Sequence, residues 1–325
     1  MINILLIGAG QIGSRHLQSL ALLDIPATID ILDPSEQSRK TAEARFYEIQ
    51  SSKTHLNLRF FDSMNQIQSH YDIALITTDS KPRRKIIEAL VQKSTIKYLI
   101  LEKFLFQQEL DYQVVKDILQ EKNIQAFVNT PRRQNDYYKT LIPMFHGKSN
   151  IHFRVSGADW GLGCNGIHFL DLFAMISGSK SIILNNNLID EAIIDSKRSG
   201  YIEFSGTLSG YDSRLNSIEI TSYLAGNTAV QVEISDKNNR IIINERTGEV
   251  LKSNESSNWK WEMDEFSAKY QSGLTHLVVK DLIENRKCDL PTYNESSHLH
   301  LLFLNVFLEF INKKTLTKTD ICPIT

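Results

Sequence analysis

The sequence predicts an α/β Rossmann domain with a mostly parallel sheet, followed by an α+β domain with a large, mostly antiparallel open sheet. Three observations predict it. An apolar run, Ile4-Leu5-Leu6-Ile7, leads straight into Gly8-Ala9-Gly10-Gln11-Ile12-Gly13 and then a helix-like stretch. Strand-like and helix-like segments alternate through the first 130 residues, the pattern of a parallel sheet covered on both faces. Beyond them the pattern turns to half-apolar alternation such as Ser217-Ile218-Glu219-Ile220-Thr221, the signature of antiparallel strands with one buried face. The domains are expected at 1–130 and 131–325.

In its strand–loop–helix setting the glycine loop reads as a dinucleotide-binding turn. Gly8 permits the tight turn, Gly10 lets backbone approach a pyrophosphate, and Gly13 lets helix pack on strand. Gln11 and Ile12 open the helix, whose free N–H groups and positive dipole end suit phosphates. A second apolar run, Ala27-Thr28-Ile29-Asp30-Ile31-Leu32, ends in Asp33, twenty residues past Gly13. A carboxylate there accepts hydrogen bonds from the adenosine ribose. An ordinary glycine turn in a βα unit competes for the loop alone, but not for strand, loop, helix and distal acid together. Asp33 favours NAD over NADP, because a 2′-phosphate would face a like charge. Arg39 lies a turn further on, not beside the acid.

The remaining elements follow in order. Residues 35–45 read as a helix capped by Ser35, 58–60 as a short strand, and a short helix starts at Ser63. Residues 72–77 form a buried strand, and Ser80 is expected to cap the next helix, with Pro82 in its first turn. Arg83-Arg84-Lys85 on that helix reads as a solvated face. Then come a strand at 97–101, a helix at 109–122 and a strand at 124–128. The pattern changes near Thr130-Pro131. A helix is expected at 135–145, a strand at 152–155 and an amphipathic helix at 167–176. Strands follow at 201–208, 217–224, 229–234 and 240–243, with a turn at 236–239. Two helices, 264–284 and 294–312, close the chain. The outer face of the second sheet needs cover, most simply from a partner subunit.

Composition limits the function classes. The chain has 325 residues, 42% of them hydrophobic, which suffices for two cores. Thirty-six Lys and Arg against 38 Asp and Glu give a net charge of −2, so no basic excess points to nucleic acid or an anionic membrane. Cys164, Cys288 and Cys322 are odd in number and far apart, which suits a reducing compartment, and the cytoplasm is the expected location. The first apolar run is too short for a signal peptide, and no uncharged run reaches membrane-spanning length.

The ordered set of motifs resembles the glucose–fructose oxidoreductase, inositol dehydrogenase and MocA-like (Gfo/Idh/MocA) family over nearly the whole chain. It rests on the glycine loop, Leu101-Glu102-Lys103-Phe104, residues 129–138, and Gly166-Ile167-His168-Phe169-Leu170-Asp171. The resemblance gives Lys103 a role at the nicotinamide edge and the reacting hydroxyl. Independently, a lysine at the carboxyl end of a parallel strand points at the ligand crevice, where an ammonium can polarise a carbonyl or steady an alkoxide. A plain Glu–Lys pair at a strand end is the alternative. The family commonly has a proline, often cis, after this lysine. Here Phe104 stands there, and a cis bond before a non-proline costs about 2.5–4 kcal/mol, so a trans bond and a shifted Lys103 are expected.

The resemblance also makes His168 the acid/base and places an aspartate four residues before it; this chain has Cys164 there. Cys164 and His168 share a helix face by spacing, and a thiol cannot copy a carboxylate near neutral pH. Asp171 could orient His168 from three residues on. A satisfied interface histidine is the plainer reading of His168. Cys164, His168 and Asp171 match no standard zinc spacing, and no metal is expected. By resemblance Thr77 and Thr78 line the adenosine side, and Glu102 and Asn129 lie beside the cofactor. Arg132 or Arg133 could grip an anionic substrate group, or pair structurally. Trp160, in a loop of small residues, could stack on a sugar ring or pack in the core. Trp259 and Trp261 could serve an interface. His152, His276, His298 and His300 read as structural.

These readings predict an NAD(P)-dependent oxidoreductase acting on a hydroxyl or carbonyl of a sugar or nucleotide-sugar-type substrate, with surface polysaccharide as the expected route. The alternatives are a cofactor-retaining epimerase, lyase or glycosidase of the same family, or a non-catalytic NAD-binding regulator. A homodimer or homotetramer through the C-terminal sheet is expected.

Overall fold

The computed structural model describes residues 1–49 and 55–325. In chain order come β1 (Ile2–Ile7), α1 (Gln11–Leu20), β2 (Ala27–Leu32), α2 (Glu36–Ile49), β3 (Leu56–Phe61), β4 (His70–Ile76), α3 (Ser80–Lys93), β5 (Thr95–Glu102), α4 (Glu109–Glu121) and β6 (Gln125–Asn129). They are followed by α5 (Asp136–Phe145), β7 (His152–Ala158), α6 (Leu162–Ser177), β8 (Ile182–Ile189), β9 (Ile194–Asp195), β10 (Ile202–Glu203), β11 (Gly206–Asp212) and β12 (Ser217–Tyr223). The last are β13 (Gln231–Ser235), β14 (Asn239–Asn244), β15 (Glu249–Asn254), β16 (Glu262–Glu265), α7 (Thr275–Asn285) and α8 (Tyr293–Lys314). One compact unit is Met1–Pro131 with Lys269–Ser297; the other is Arg132–Ala268 with His298–Thr325.

The first unit is a six-stranded parallel sheet in the order β3-β2-β1-β4-β5-β6. β1 and β4 are neighbours, so the strand order reverses there, the place where such sheets open a ligand crevice at their carboxyl edge. The apolar runs of β1, β2 and β4 are buried on both faces, as a covered parallel sheet requires. One face packs Ile4, Leu6, Ile29, Ile31 and Ile73 with Leu17 and Leu20 of α1, Phe46 of α2 and Val278, Val279 and Leu282 of α7. The one acid inside β2, Asp30, is fully buried and paired: Arg59 Nε and Nη2 both donate to it at 2.8 Å, and Tyr71 Oη donates at 2.6 Å.

The second unit is an eight-stranded sheet in the order β16-β15-β14-β13-β7-β12-β11-β8, antiparallel throughout except for the β7–β12 pair. Its inner face carries Phe153, Val155, Ile218, Ile220, Val232, Ile234, Ile241 and Ile243, all buried. α6 packs there, and its Phe173 meets Phe153 edge-on at 5.8 Å between ring centroids. The alternation that buries these residues turns Arg154, Glu219, Tyr211 and Tyr223 outward.

Several expectations need correction. The helix expected at 264–284 is instead strand β16, an irregular stretch, a single 3-10 turn (Gln271–Gly273) and α7. The strand expected at 201–208 is broken into β10 and β11, where Gly206 takes a φ of 91° and a Cβ would collide with Asp190 N at 2.5 Å. Asp79, not Ser80, holds the cap position of α3, with no side-chain cap bond. Arg83 is not on a solvated face: it is 1% exposed and donates to the carbonyls of Thr78, Phe104 and Leu105. The Lys103–Phe104 peptide is cis, not trans. The trans expectation weighed only the local peptide preference, whereas Phe104 is fully buried and its carbonyl is held by Arg83.

Candidate functional site

The parallel strands bring one set of candidate residues to the carboxyl edge of the first unit. Gly8 follows β1 with a φ of 95°, a conformation that L side chains rarely adopt. Gly13 packs its Cα against the loop: a Cβ there would lie 1.8 Å from Gly8 O and 2.7 Å from Thr77 Oγ1. Thr77 Oγ1 donates to Gly8 O at 2.6 Å and so ties β4 to the loop. A Cβ on Gly10, by contrast, meets nothing within 4 Å. Asp33 Oδ2 accepts from Ala9 N at 2.6 Å and Oδ1 accepts from Ser35 N at 2.8 Å, which fixes the carboxylate beside the loop. Gln11 Oε1 accepts from Arg45 Nη2 at 2.8 Å, and Ile12 follows in the first turn of α1. Thr78 Oγ1 and Thr130 Oγ1 are buried with no hydrogen-bond partner among the described residues. Open space above Gly10 and unsatisfied hydroxyls on the same edge fit a dinucleotide with hydrogen-bonding groups of its own.

β5 delivers Glu102 and Lys103 to this edge. Glu102 is 6% exposed; His16 Nε2 lies 2.8 Å from its Oε1, and Asn129 Nδ2 donates to the same oxygen. Burial works against the charged form, but the bond from His16, the bond from Asn129 and neighbouring Lys103 outweigh it, so the carboxyl sits below its ordinary range.

The second unit positions the remaining candidates. His168 and Asp171 are buried on α6, at 7% and 1% exposure. Asp171 Oδ2 accepts from Arg133 Nε at 2.7 Å. Arg132 is engaged by Glu245 through both Nε, at 2.9 Å, and Nη2, at 2.7 Å, and its guanidinium lies 4.2 Å from the Phe169 ring centroid. Tyr138 Oη donates to the same carboxylate at 2.8 Å. A bidentate pair of this kind satisfies the fork that an anionic substrate group would need. Trp160 Nε1 donates to Thr221 O at 3.0 Å and its ring meets Phe169 edge-on. Cys164 sits in the first turn of α6, where its backbone N–H donates to Glu203 Oε2 at 3.1 Å. Glu203 also accepts from Gly163 N, so a carboxylate from β10 caps the helix that carries His168.

Sequence reasoning missed His16, Arg83, Glu203, Glu245, Gln271 and Thr275. His16 carried one faint signal, its place on the helix after the glycine loop. The others act over sequence separations that no local pattern reports.

Residues 2–130 match the model of the oxidoreductase family with an NAD-binding Rossmann fold, GFO_IDH_MocA. Over these residues the chain is similar to that family's NAD-binding domain. No curated protein matches the sequence. Among solved structures, the UDP-N-acetylglucosamine 3-dehydrogenase GnnA from Acidithiobacillus ferrooxidans is similar at a TM-score of 0.70 and 12% identity, over 94% of this chain and 96% of that one. An oxidoreductase from Agrobacterium radiobacter, in complex with NAD+, L-tartaric acid and magnesium, gives 0.71 and 12%, over 96% and 97%. A super-repressor mutant of Gal80p from Saccharomyces cerevisiae gives 0.71 and 14%, over 95% and 96%. At these identities the likeness is one of fold, and it extends over the second unit as well. Among the described residues no helix is long and apolar enough to cross a membrane, and no group of three or more His, Cys, Asp or Glu could hold a metal ion.

Proposed function

We propose that this chain moves a hydride between the nicotinamide of NAD and a hydroxyl or carbonyl of a sugar or nucleotide-sugar-type substrate, in the making of surface polysaccharide in the cytoplasm. The observation that carries the reading is Lys103 following Glu102 at the carboxyl end of β5, on the same edge of a parallel sheet as the glycine loop. Bound NAD supplies the hydride acceptor or donor. Lys103 polarises the substrate oxygen, and His168, a side chain suited to proton transfer near neutral pH, relays its proton. The nucleotide-sugar end of the reading is supported by the activity that GnnA's name prints.

The test is a panel of sugars and nucleotide sugars with purified protein, read as absorbance of the reduced cofactor. Lys103→Ala is expected to lower turnover by about 100-fold or more; turnover that survives it overturns the mechanism. NAD that co-purifies and supports turnover without net redox would point instead to an epimerase, lyase or glycosidase. NAD binding without turnover, unchanged by His168→Ala, would point to a regulator.

The reading includes a homodimer or homotetramer through the second unit's sheet. Its outward face pairs Ile183 with Tyr211, at 59% and 50% exposure, unusual for large apolar side chains on a lone surface. Light scattering behind size exclusion checks this; a monomer at every concentration removes it.

A further inference from the structure

Lys269–Ser297 returns to the first unit and brings Gln271 and Thr275 to the buried carboxylate that precedes Lys103. Five side chains close a ring there. His16 Nε2 is 2.8 Å from Glu102 Oε1, and His16 Nδ1 is 2.9 Å from Thr275 Oγ1 and 3.4 Å from Gln271 Nε2. Gln271 Nε2 donates to Thr275 Oγ1 at 2.8 Å. Asn129 Nδ2 donates to Gln271 Oε1 at 2.8 Å and also to Glu102 Oε1.

Chemistry fixes the directions of the two amides. An ionised Glu102 only accepts, so Asn129 must turn its NH2 toward it. The second hydrogen of that NH2 demands the oxygen of Gln271. Gln271 therefore presents its own NH2 to Thr275 Oγ1 and toward His16 Nδ1. Thr275 Oγ1 accepts from Gln271 and keeps its own hydrogen to give to Nδ1, the arrangement that suits a Gln271 NH2 turned to the same nitrogen. Nδ1 is then an acceptor, and the one imidazole proton sits on Nε2, donating to Glu102. A second N–H on His16 would lie against the Gln271 amide hydrogens, a crowding that the Nε2–H tautomer avoids. The charged group bonded to His16 is Glu102 of β5, and Lys103 is the chain neighbour of Glu102. His276 of α7 turns its Nδ1 to Ser19 Oγ instead, at 3.0 Å.

We infer that Gln271 and Thr275 are positioning residues that lock His16 in its neutral, Nε2-protonated form and thereby hold the Glu102 carboxylate, and the strand end that bears Lys103, in one place. The inference rests on the reading of Lys103 as the group that meets the substrate oxygen, but its first test does not use turnover.

That test is nitrogen-15 NMR of the histidines in the full chain near neutral pH, with the His16 resonances identified by their loss in His16→Gln. The expected result is the neutral Nε2–H tautomer in the wild type. In Gln271→Glu, whose added oxygen faces Nδ1 without a hydrogen, the imidazolium or Nδ1–H signature is expected. A wild-type imidazolium or Nδ1–H tautomer overturns the lock, as does an unchanged signature in Gln271→Glu. Should that variant fail to fold, Thr275→Val removes the hydroxyl donor, and an unaltered His16 spectrum in it is equally decisive.

The second readout is kinetic. Thr275→Val is expected to lower kcat by about 10- to 100-fold with little change in KM for the cofactor, and Thr275→Ser to restore it. An unchanged kcat in Thr275→Val, or a Thr275→Ser variant as slow, overturns the positioning role. A wild type that locks His16 but turns over no substrate defeats the proposed function and leaves the lock standing.

Discussion

Single residues show how two similar glycines do different work. Gly13 is required by the fold, because any Cβ strikes the Gly8 carbonyl. Gly13→Ala is expected to cost at least about 1–3 kcal/mol through overpacking, read by urea unfolding. Nothing in the fold requires Gly10: its φ of −63° suits any residue and its Cβ position is open. Gly10→Ala should leave stability within about 0.5 kcal/mol yet weaken NAD binding measured by calorimetry; equal affinity would mean that the space above Gly10 is not cofactor space. Both glycines were legible from the G-x-G-x-x-G spacing. Arg132 was not, because Glu245, which fixes its guanidinium, lies 113 residues further along the chain.

At the scale of elements, α3 and α6 carry the misreadings that matter most. The basic run on α3 has the composition of a solvated face, yet Arg83 anchors the segment after β5 by three backbone carbonyls. Arg83→Met strands those buried acceptors and should cost on the order of 3 kcal/mol in chemical unfolding. Arg84, part-exposed and paired with Glu88 and Asp111, should cost under about 1 kcal/mol when changed to Ala. A result in which both cost the same removes the anchor. α6 shows a distant cap replacing a local one: Gly161 at its start brings no side chain, and Glu203 from β10 accepts from the first-turn N–H groups. Glu203→Ala should lower stability by about 0.5–2 kcal/mol, read by the same unfolding experiment.

The whole molecule inherits a pH dependence from two buried carboxylates, one in each unit. Glu102 is described above; Asp212 is 4% exposed and accepts from Ser179 Oγ, Arg214 N and both nitrogens of Asn216. Burial opposes its ionisation, and these hydrogen bonds outweigh it, so its pKa is also lowered. A carboxyl whose folded pKa lies below its unfolded one adds stability that is complete above the unfolded value, about 4, and disappears as pH falls through the folded value. Urea midpoints should therefore be flat near neutrality and fall below about pH 4, with a shallower acid slope in Asp212→Asn. Stability that rises on acidification would contradict both assignments.

The sequence by itself determined what is local and periodic: the parallel sheet from its unbroken apolar runs, the second sheet from its alternation, and the nucleotide loop from glycines placed between strand and helix. It also put Lys103 at a strand end, a place that a linear pattern can mark. Only the tertiary structure decided which charges are spent on one another. Arg59 with Asp30, Arg132 with Glu245, Arg133 with Asp171, and the ring from Gln271 through His16 to Glu102 all join residues far apart in the chain. Hydrogen-bond partners are chosen by distance in space, and burial makes the choice binding, because a buried polar group left without a partner costs more than any local preference returns.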